Sequence, residues 1–280
     1  MSPLARFLTF IRFSHTVFAL PFALGAMVVA ADGWSGWRIF GLILLCMVFA
    51  RTAAMTFNRV ADWEIDKRNP RTEGRHRLLG KGSAIVTCAV SSLLFVAATS
   101  FINRPCFLLS PVALAIVFLY SLTKRFTHAA QFFLGLALSV SPVGAWLAVT
   151  GSFSLPPVLL AAGVLCWVAG FDMIYATQDV EIDRREGLRS MVVWLGVPGS
   201  LRLAGFLHLL LLALLVAFGL SAHLGRVYWW GLLPIPFLLA YEHRIARTLD
   251  VAKINKAFFE TNAIVGLLFV AVTAADRFLR

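Results

Sequence analysis

Apolar runs of about twenty residues, repeated along the chain and bounded by charge, glycine or proline, dictate what this sequence can become. A bilayer span takes ~20 such residues. Candidate spans lie at roughly 13–31, 39–58, 84–102, 105–121, 130–150, 155–176, 199–219, 227–241 and 257–275. The eighth is short and contains Pro234 and Pro236, so its ends are the least defined. Only 14% of residues are charged, against about 25% in soluble domains, which excludes an aqueous globular enzyme. The 24 Phe and 8 Trp exclude a disordered chain. The pattern therefore predicts one all-α transmembrane domain over residues 1–280, built of about nine helices. Arg6 and Arg12 precede an apolar run ending at Val29-Ala30-Ala31, as in a signal peptide. The run's length of ~19 residues and the spans behind it favour an uncleaved first helix.

Charge orients these spans. The N-terminus and segments 58–83, 121–130, 177–202 and 241–257 hold nineteen of the 25 Lys and Arg. The opposite connections hold five, and Arg51 lies inside the second span. The positive-inside rule makes the first set cytoplasmic, as in a bacterial inner membrane. The net charge of +11 then reflects cytoplasmic loops and anionic headgroups rather than nucleic acid. Cys46, Cys88, Cys106 and Cys166 sit in apolar runs without CxxC spacing, which reads as buried, reduced thiols.

Seven of the fourteen acidic residues fall in two short segments. Asn58, Asp62 and Asp66 recur at i, i+4 and i+8, on one helix face. Asp172, Tyr175, Asp179 and Asp183 recur at i, i+3, i+7 and i+11. Superposing Asp62/Asp66 on Asp179/Asp183 also sets Asn58 opposite Tyr175. Each group ends an even-numbered span, so both open on the cytoplasmic side. Two four-helix repeats around a central cavity, with a ninth helix added, account for this.

Facing carboxylates at a helix mouth repel unless cations sit between them. Hard oxygen donors, with no His or Cys in register, call for Mg²⁺. Lys67, Arg68, Arg71, Arg75, Arg77 and Lys81 follow the first group; Arg184, Arg185 and Arg189 follow the second. Lys124 and Arg125 lie on the same side. A magnesium–diphosphate bridging acids and bases satisfies both sets. Glu64 and Glu181 fall off the stripes and read as solvated. Gly80-Lys81-Gly82-Ser83 is not a phosphate loop, since Ser or Thr does not follow the Lys directly and no strand precedes it. His15, His128, His208, His223 and His243 stand alone and read as packing residues.

These residues resemble the UbiA superfamily of intramembrane aromatic prenyltransferases. The family signature N-D-x-x-D-x-x-x-D is met by Asn58, Asp62 and Asp66, departing at Arg59. The second signature, D-x-x-Y-x-x-x-D-x-x-x-D, is met in full by Asp172, Tyr175, Asp179 and Asp183. The resemblance implies a nine-helix fold in which Asn58 and the five aspartates, with Mg²⁺, bind a polyprenyl diphosphate. It further implies that Arg71, Arg75 and Lys124 hold the diphosphate and that Arg51 meets the carboxylate of an aromatic acid acceptor. Arg59, replacing an acid, leaves one metal or hydrogen-bond contact of the family open. Asn69-Pro70-Arg71-Thr72, Tyr120-Ser-x-x-Lys124-Arg125 and Gln178-Asp179 look most like the 4-hydroxybenzoate branch, with a hydroxynaphthoate-prenylating relative as the alternative.

The chemistry expected is ionisation of the allylic C–O bond, then attack by an electron-rich phenolate ring, with water excluded by the bilayer. Phe132, Phe133, Trp146 and Trp167 are candidates to surround the cation and tail, against the plainer reading of each as lipid-facing or core bulk. The rival reading is a secondary transporter. Against it, the acids lie at helix ends beside basic loops rather than at mid-bilayer.

Overall fold

The computed structural model describes residues 2–279 apart from 13–15, 17, 69–73 and 75–77, and omits the side chains of 3, 4, 65 and 68. Among the described residues the chain is all-helical. Six helices are long and apolar enough to cross a membrane: α3 (Trp37–Ala61), α5 (Lys81–Ser100), α7 (Ala130–Thr150), α8 (Leu155–Ala176), α10 (Met191–Ser221) and α13 (Val251–Phe278). Two shorter apolar helices accompany them, α2 (Leu20–Ala30) and α6 (Arg104–Tyr120). A short α1 (Pro3–Phe10) precedes α2, and α4 (Trp63–Arg68) and α9 (Val180–Arg185) follow α3 and α8. The expected eighth span is divided into α11 (Arg226–Leu232) and α12 (Pro234–Ala246).

Helix ends follow local chemistry. Proline occupies the first turn of α2, α6, α8 and α12, where its missing N–H costs nothing. Asn103 caps α6 by accepting from the Cys106 amide at 3.0 Å. Gly151, at φ 68°, closes α7. Two expected spans are shorter than their apolar runs. Pro21 confines the described helix of the first run to residues 20–30, and Pro234 divides the eighth. α10 starts ahead of the expected 199–219 and is broken at Gly196, at φ 68° and ψ 171°, a conformation suited to glycine.

The two halves repeat: α2, α3, α5 and α6, then α7, α8, α10 and α11/α12. α3 packs closely on α5, as α8 does on α10. The repeat fails at one place. α7 lies tightly on α8, whereas α2 and α3 touch only sparsely, so the first half stays open where the second is closed. α13 seals the far side against α2, α11 and α12. Asp276 on α13 accepts from the Gly225 and Tyr228 amides at 2.7 and 3.1 Å, satisfying the start of α11.

The contact between α7 and α8 rests on Gly135, where an added Cβ would lie 2.5 Å from the Leu165 carbonyl oxygen. Backbone cannot yield as a side chain does. Gly135→Ala should therefore cost about 1–3 kcal/mol, read as a lower melting temperature in detergent. Gly144→Ala, with nothing within 4 Å of the new carbon, should leave the melt unchanged or raise it.

Candidate active site

Both acidic segments lie at helix breaks built alike. Asp62 ends α3 at φ −95°, ψ 16°, and Asp179 starts α9 at φ −105°, ψ 0°. At the first break the i+4 pattern runs through, the Asp62 amide donating to the Asn58 carbonyl at 2.9 Å and the Asp66 amide to the Asp62 carbonyl at 2.7 Å. At the second it tightens to i+3, the Asp179 amide donating to the Ala176 carbonyl at 3.0 Å, before the Asp183 amide resumes i+4 on the Asp179 carbonyl at 2.8 Å. The helix axis can thus turn while successive carboxylates keep to one face. The repeat inferred from spacing is present in the backbone.

A cavity of about 710 Å³ opens between α3 and α6 on one side and α7 and α8 on the other. That volume suits a small-molecule site. Asn58, Asp62 and Asp66 line it from one wall; Asp172, Tyr175, Asp179 and Asp183 line it from the other; Lys124 and Arg51 line it too. Arg71 and Arg75 lie outside the described residues. Asn58 Nδ2 donates to Asp62 at 3.3 Å, and the Tyr175 ring lies 4.6 Å from that of Phe258. Glu64 and Glu181 are exposed, as their spacing predicts.

Cations stand among the acids. The short 3₁₀ turn Thr123–Arg125 carries Lys124, whose Nζ reaches both oxygens of Asp183 at 3.3 and 3.1 Å. The next residue, Arg125, donates to Asp62 at 3.2 Å and to the Ala61 carbonyl at 2.5 Å. Adjacent residues of one turn thus hold one carboxylate of each repeat. Arg59 pairs with Asp66 at 3.7 Å. Burial pushes the Asp62 carboxyl above its ordinary range, although the Arg125 hydrogen bond and charge oppose that shift. Burial pulls the Lys124 ammonium down, but Asp183, Asp172 and Asp179 outweigh it and hold its pKa above the usual lysine value.

Among the described residues no three acidic, His or Cys side chains converge into a ready-made metal cage. The donors are hard oxygens on two facing walls, each half-engaged by a cation. This arrangement fits Mg²⁺, which takes one or two carboxylates and completes its octahedron with water and phosphate oxygens. Arg51 is half-buried in α3 and donates to the Arg12 carbonyl at 3.0 Å, while its buried Nε has no hydrogen-bond partner among the described residues.

Packing decides between readings the sequence left open for the aromatic residues, and corrects one for the histidines. Phe132, Phe133, Trp146 and Trp167 are not among the cavity's lining residues; Phe18, Phe95, Phe153, Phe171 and Phe258 are. Trp167 instead fills the core against Phe22 at 4.9 Å and Phe171 at 5.0 Å. His208 and His243 are not lone, their Nδ1 and Nε2 being 3.0 Å apart. The Arg125 pairing escaped the sequence reading, although two adjacent cations opposite two acidic stripes signalled it.

A model of the UbiA prenyltransferase family matches residues 19–267. The chain belongs to that family. It is an integral membrane enzyme, a prenyltransferase, as its motifs suggested. It is 30% identical over 257 residues to a 4-hydroxybenzoate octaprenyltransferase of Vibrio parahaemolyticus serotype O3:K6, covering 89% of each chain. A protein of the same description from Vibrio cholerae serotype O1 is 33% identical over 247 residues, covering 86% of each. The apo structure of a UbiA homolog from Aeropyrum pernix K1 superposes with a TM-score of 0.84 at 28% identity, covering 94% of this chain and 98% of that one. A UbiA homolog from Archaeoglobus fulgidus, solved bound to GPP and Mg²⁺, shares the fold at TM-score 0.74 and 21% identity, covering 98% and 99%.

The Lys124–Asp183 pair is half-buried on the lysine side and buried on the other. Lys124→Met strands the carboxylate and should cost about 1–3 kcal/mol. Adding Asp183→Asn should recover part of that loss, measured as melting temperatures of the single and double variants.

Proposed function

We propose that this enzyme transfers a polyprenyl chain from its diphosphate to the ring of 4-hydroxybenzoate in quinone biosynthesis. It does so as one membrane domain with its acidic groups on the cytoplasmic side of a bacterial inner membrane. One observation carries the reading: two acidic stripes from matching helix breaks face a single apolar cavity, with Lys124 and Arg125 between them. The description of the Vibrio relatives and the GPP and Mg²⁺ in the Archaeoglobus homolog support it. The excess of Lys and Arg on alternate connections supports the orientation.

In this reading Asn58, Asp62 and Asp66 on one wall and Asp172, Asp179 and Asp183 on the other hold Mg²⁺ and, through it, the diphosphate. Bound there, Mg²⁺ neutralises the charge that develops on the departing pyrophosphate. Lys124 adds a direct cation, and Arg71 and Arg75, which follow α4 in the sequence, add two more to the diphosphate. Tyr175 lies beside these acids on the same helix face. The apolar walls exclude water from the allylic cation, and Phe171 and Phe258 offer ring faces to it. Arg51 receives the acceptor carboxylate. A guanidinium at that depth is costly without an anion, among the described residues the Arg12 carbonyl satisfies only part of it, and its fork matches a carboxylate.

Purified protein with a labelled polyprenyl diphosphate, Mg²⁺ and either 4-hydroxybenzoate or a hydroxynaphthoate tests the assignment. Turnover should require 4-hydroxybenzoate and vanish in excess EDTA. Asp62→Ala and Asp179→Ala should each lower kcat by roughly 100-fold or more while inserting and melting normally. Transfer only to the naphthoate would reassign the acceptor, and metal-independent transfer would sink the site.

Arg51 separates the acceptor from the donor. Arg51→Leu should raise the acceptor KM by about 30- to 100-fold, as for truncation of a buried charge pair, with donor KM changed little. Equal weakening of both substrates would make Arg51 a structural residue instead.

A further inference from the structure

Arg59 is a cation inside the first acidic group, directly following Asn58 and three residues ahead of the Asp62 break. It is 5% exposed and lines the cavity. Its Nη1 lies 3.7 Å from Asp66 Oδ2, and its Nε donates to the Phe10 carbonyl at 3.5 Å. Arg59 and Asp66 are seven residues apart, two turns along one face. The hydrogen bond across the Asp62 break keeps them on that face, so the guanidinium extends along the stripe toward the mouth.

Arginine stays charged under all ordinary conditions. A buried guanidinium among Asn58, Asp62 and Asp66 is therefore a permanent positive charge in a place otherwise built for divalent cations. Any metal approaching Asp66 meets that charge and contends for the same carboxylate. A diphosphate entering the cavity meets an attractive one. Its two effects have opposite sign, which makes the role measurable.

We propose that Arg59 is a diphosphate-binding residue of this chain, a fixed cation seated on Asp66 that takes over part of the charge neutralisation elsewhere left to metal. The inference rests on the site reading of the preceding section. It differs from a purely structural role, in which Arg59 only ties α3 to the Phe10 carbonyl.

Calorimetric titration of the detergent-purified full chain tests it without turnover, using Mn²⁺ alone, then inorganic pyrophosphate in EDTA, then pyrophosphate with saturating Mn²⁺. Arg59→Gln should bind Mn²⁺ about tenfold more tightly and metal-free pyrophosphate about tenfold more weakly. Arg59→Lys should stay within about threefold of the unaltered chain in both. Arg59→Asp, which restores the acidic residue of the family signature, should move further in both directions and carries the test where Arg59→Gln does not fold. Unchanged Mn²⁺ affinity in Arg59→Gln and Arg59→Asp would overturn the inference, as would pyrophosphate binding in EDTA that is absent from the unaltered chain or insensitive to the substitutions. If the unaltered chain binds no pyrophosphate even with saturating Mn²⁺, the site reading itself falls.

Discussion

Carboxylates gathered at the edge of an apolar cavity repel one another, and burial adds to the difficulty, as the raised Asp62 shows. The fold answers with cations placed against three of the five aspartates: Arg125 on Asp62, Arg59 on Asp66, Lys124 on Asp183. Two of the three come from consecutive residues of a single 3₁₀ turn between α6 and α7. That turn joins the two repeats in sequence and, through these ion pairs, joins their acidic ends in space. The spacing of the two walls, and hence what can bridge them, depends on it.

The same compromise shapes the helices. A straight α3 or α8 continued by another turn would keep its polar stripe but not change direction at the mouth. A break at Asp62 and at Asp179 permits the change, and the i+4 hydrogen bonds that each aspartate's carbonyl accepts carry the stripe on into α4 and α9. Aspartate suits such a break, because its short side chain tolerates the bridge region and competes with helical hydrogen bonding. The aspartates that line the cavity are therefore also the residues that shape the backbone there. The repeat then departs from symmetry between α2 and α3, where looser packing leaves the cavity, while Gly135 draws α7 onto α8.

Periodicity made much of this legible. Runs 130–150 and 155–176 coincide with α7 and α8 as folded, because apolar length and bounding proline or glycine are local properties. The acidic stripes were legible for the same reason, since i+4 spacing fixes a face wherever the helix goes. Contacts between elements were not. Nothing in the spacing of Phe132, Phe133, Trp146 or Trp167 reveals which face of α7 or α8 meets the cavity, when both helices are apolar all round. Likewise the pairing of His208 with His243 joins residues 35 apart, and only the packing of α10 against α12 brings them together.

Two arginines of α3 meet the backbone of the N-terminal segment: Arg51 the Arg12 carbonyl, Arg59 the Phe10 carbonyl. Phe10 and Ile11 in turn pack with Ala84 against Met55, Val60, Leu78 and Leu79. The segment is thereby held at the mouth by apolar contacts and by two guanidinium–carbonyl bonds. A neutral carbonyl is a weaker partner for a guanidinium than a carboxylate or phosphate oxygen. Arg51 thus gains enough from the protein to stay half-buried, while its Nε, without a partner among the described residues, leaves it short of satisfied. A half-buried cation held this way favours an anion entering the cavity, because that anion finds a donor already placed and partly stripped of water.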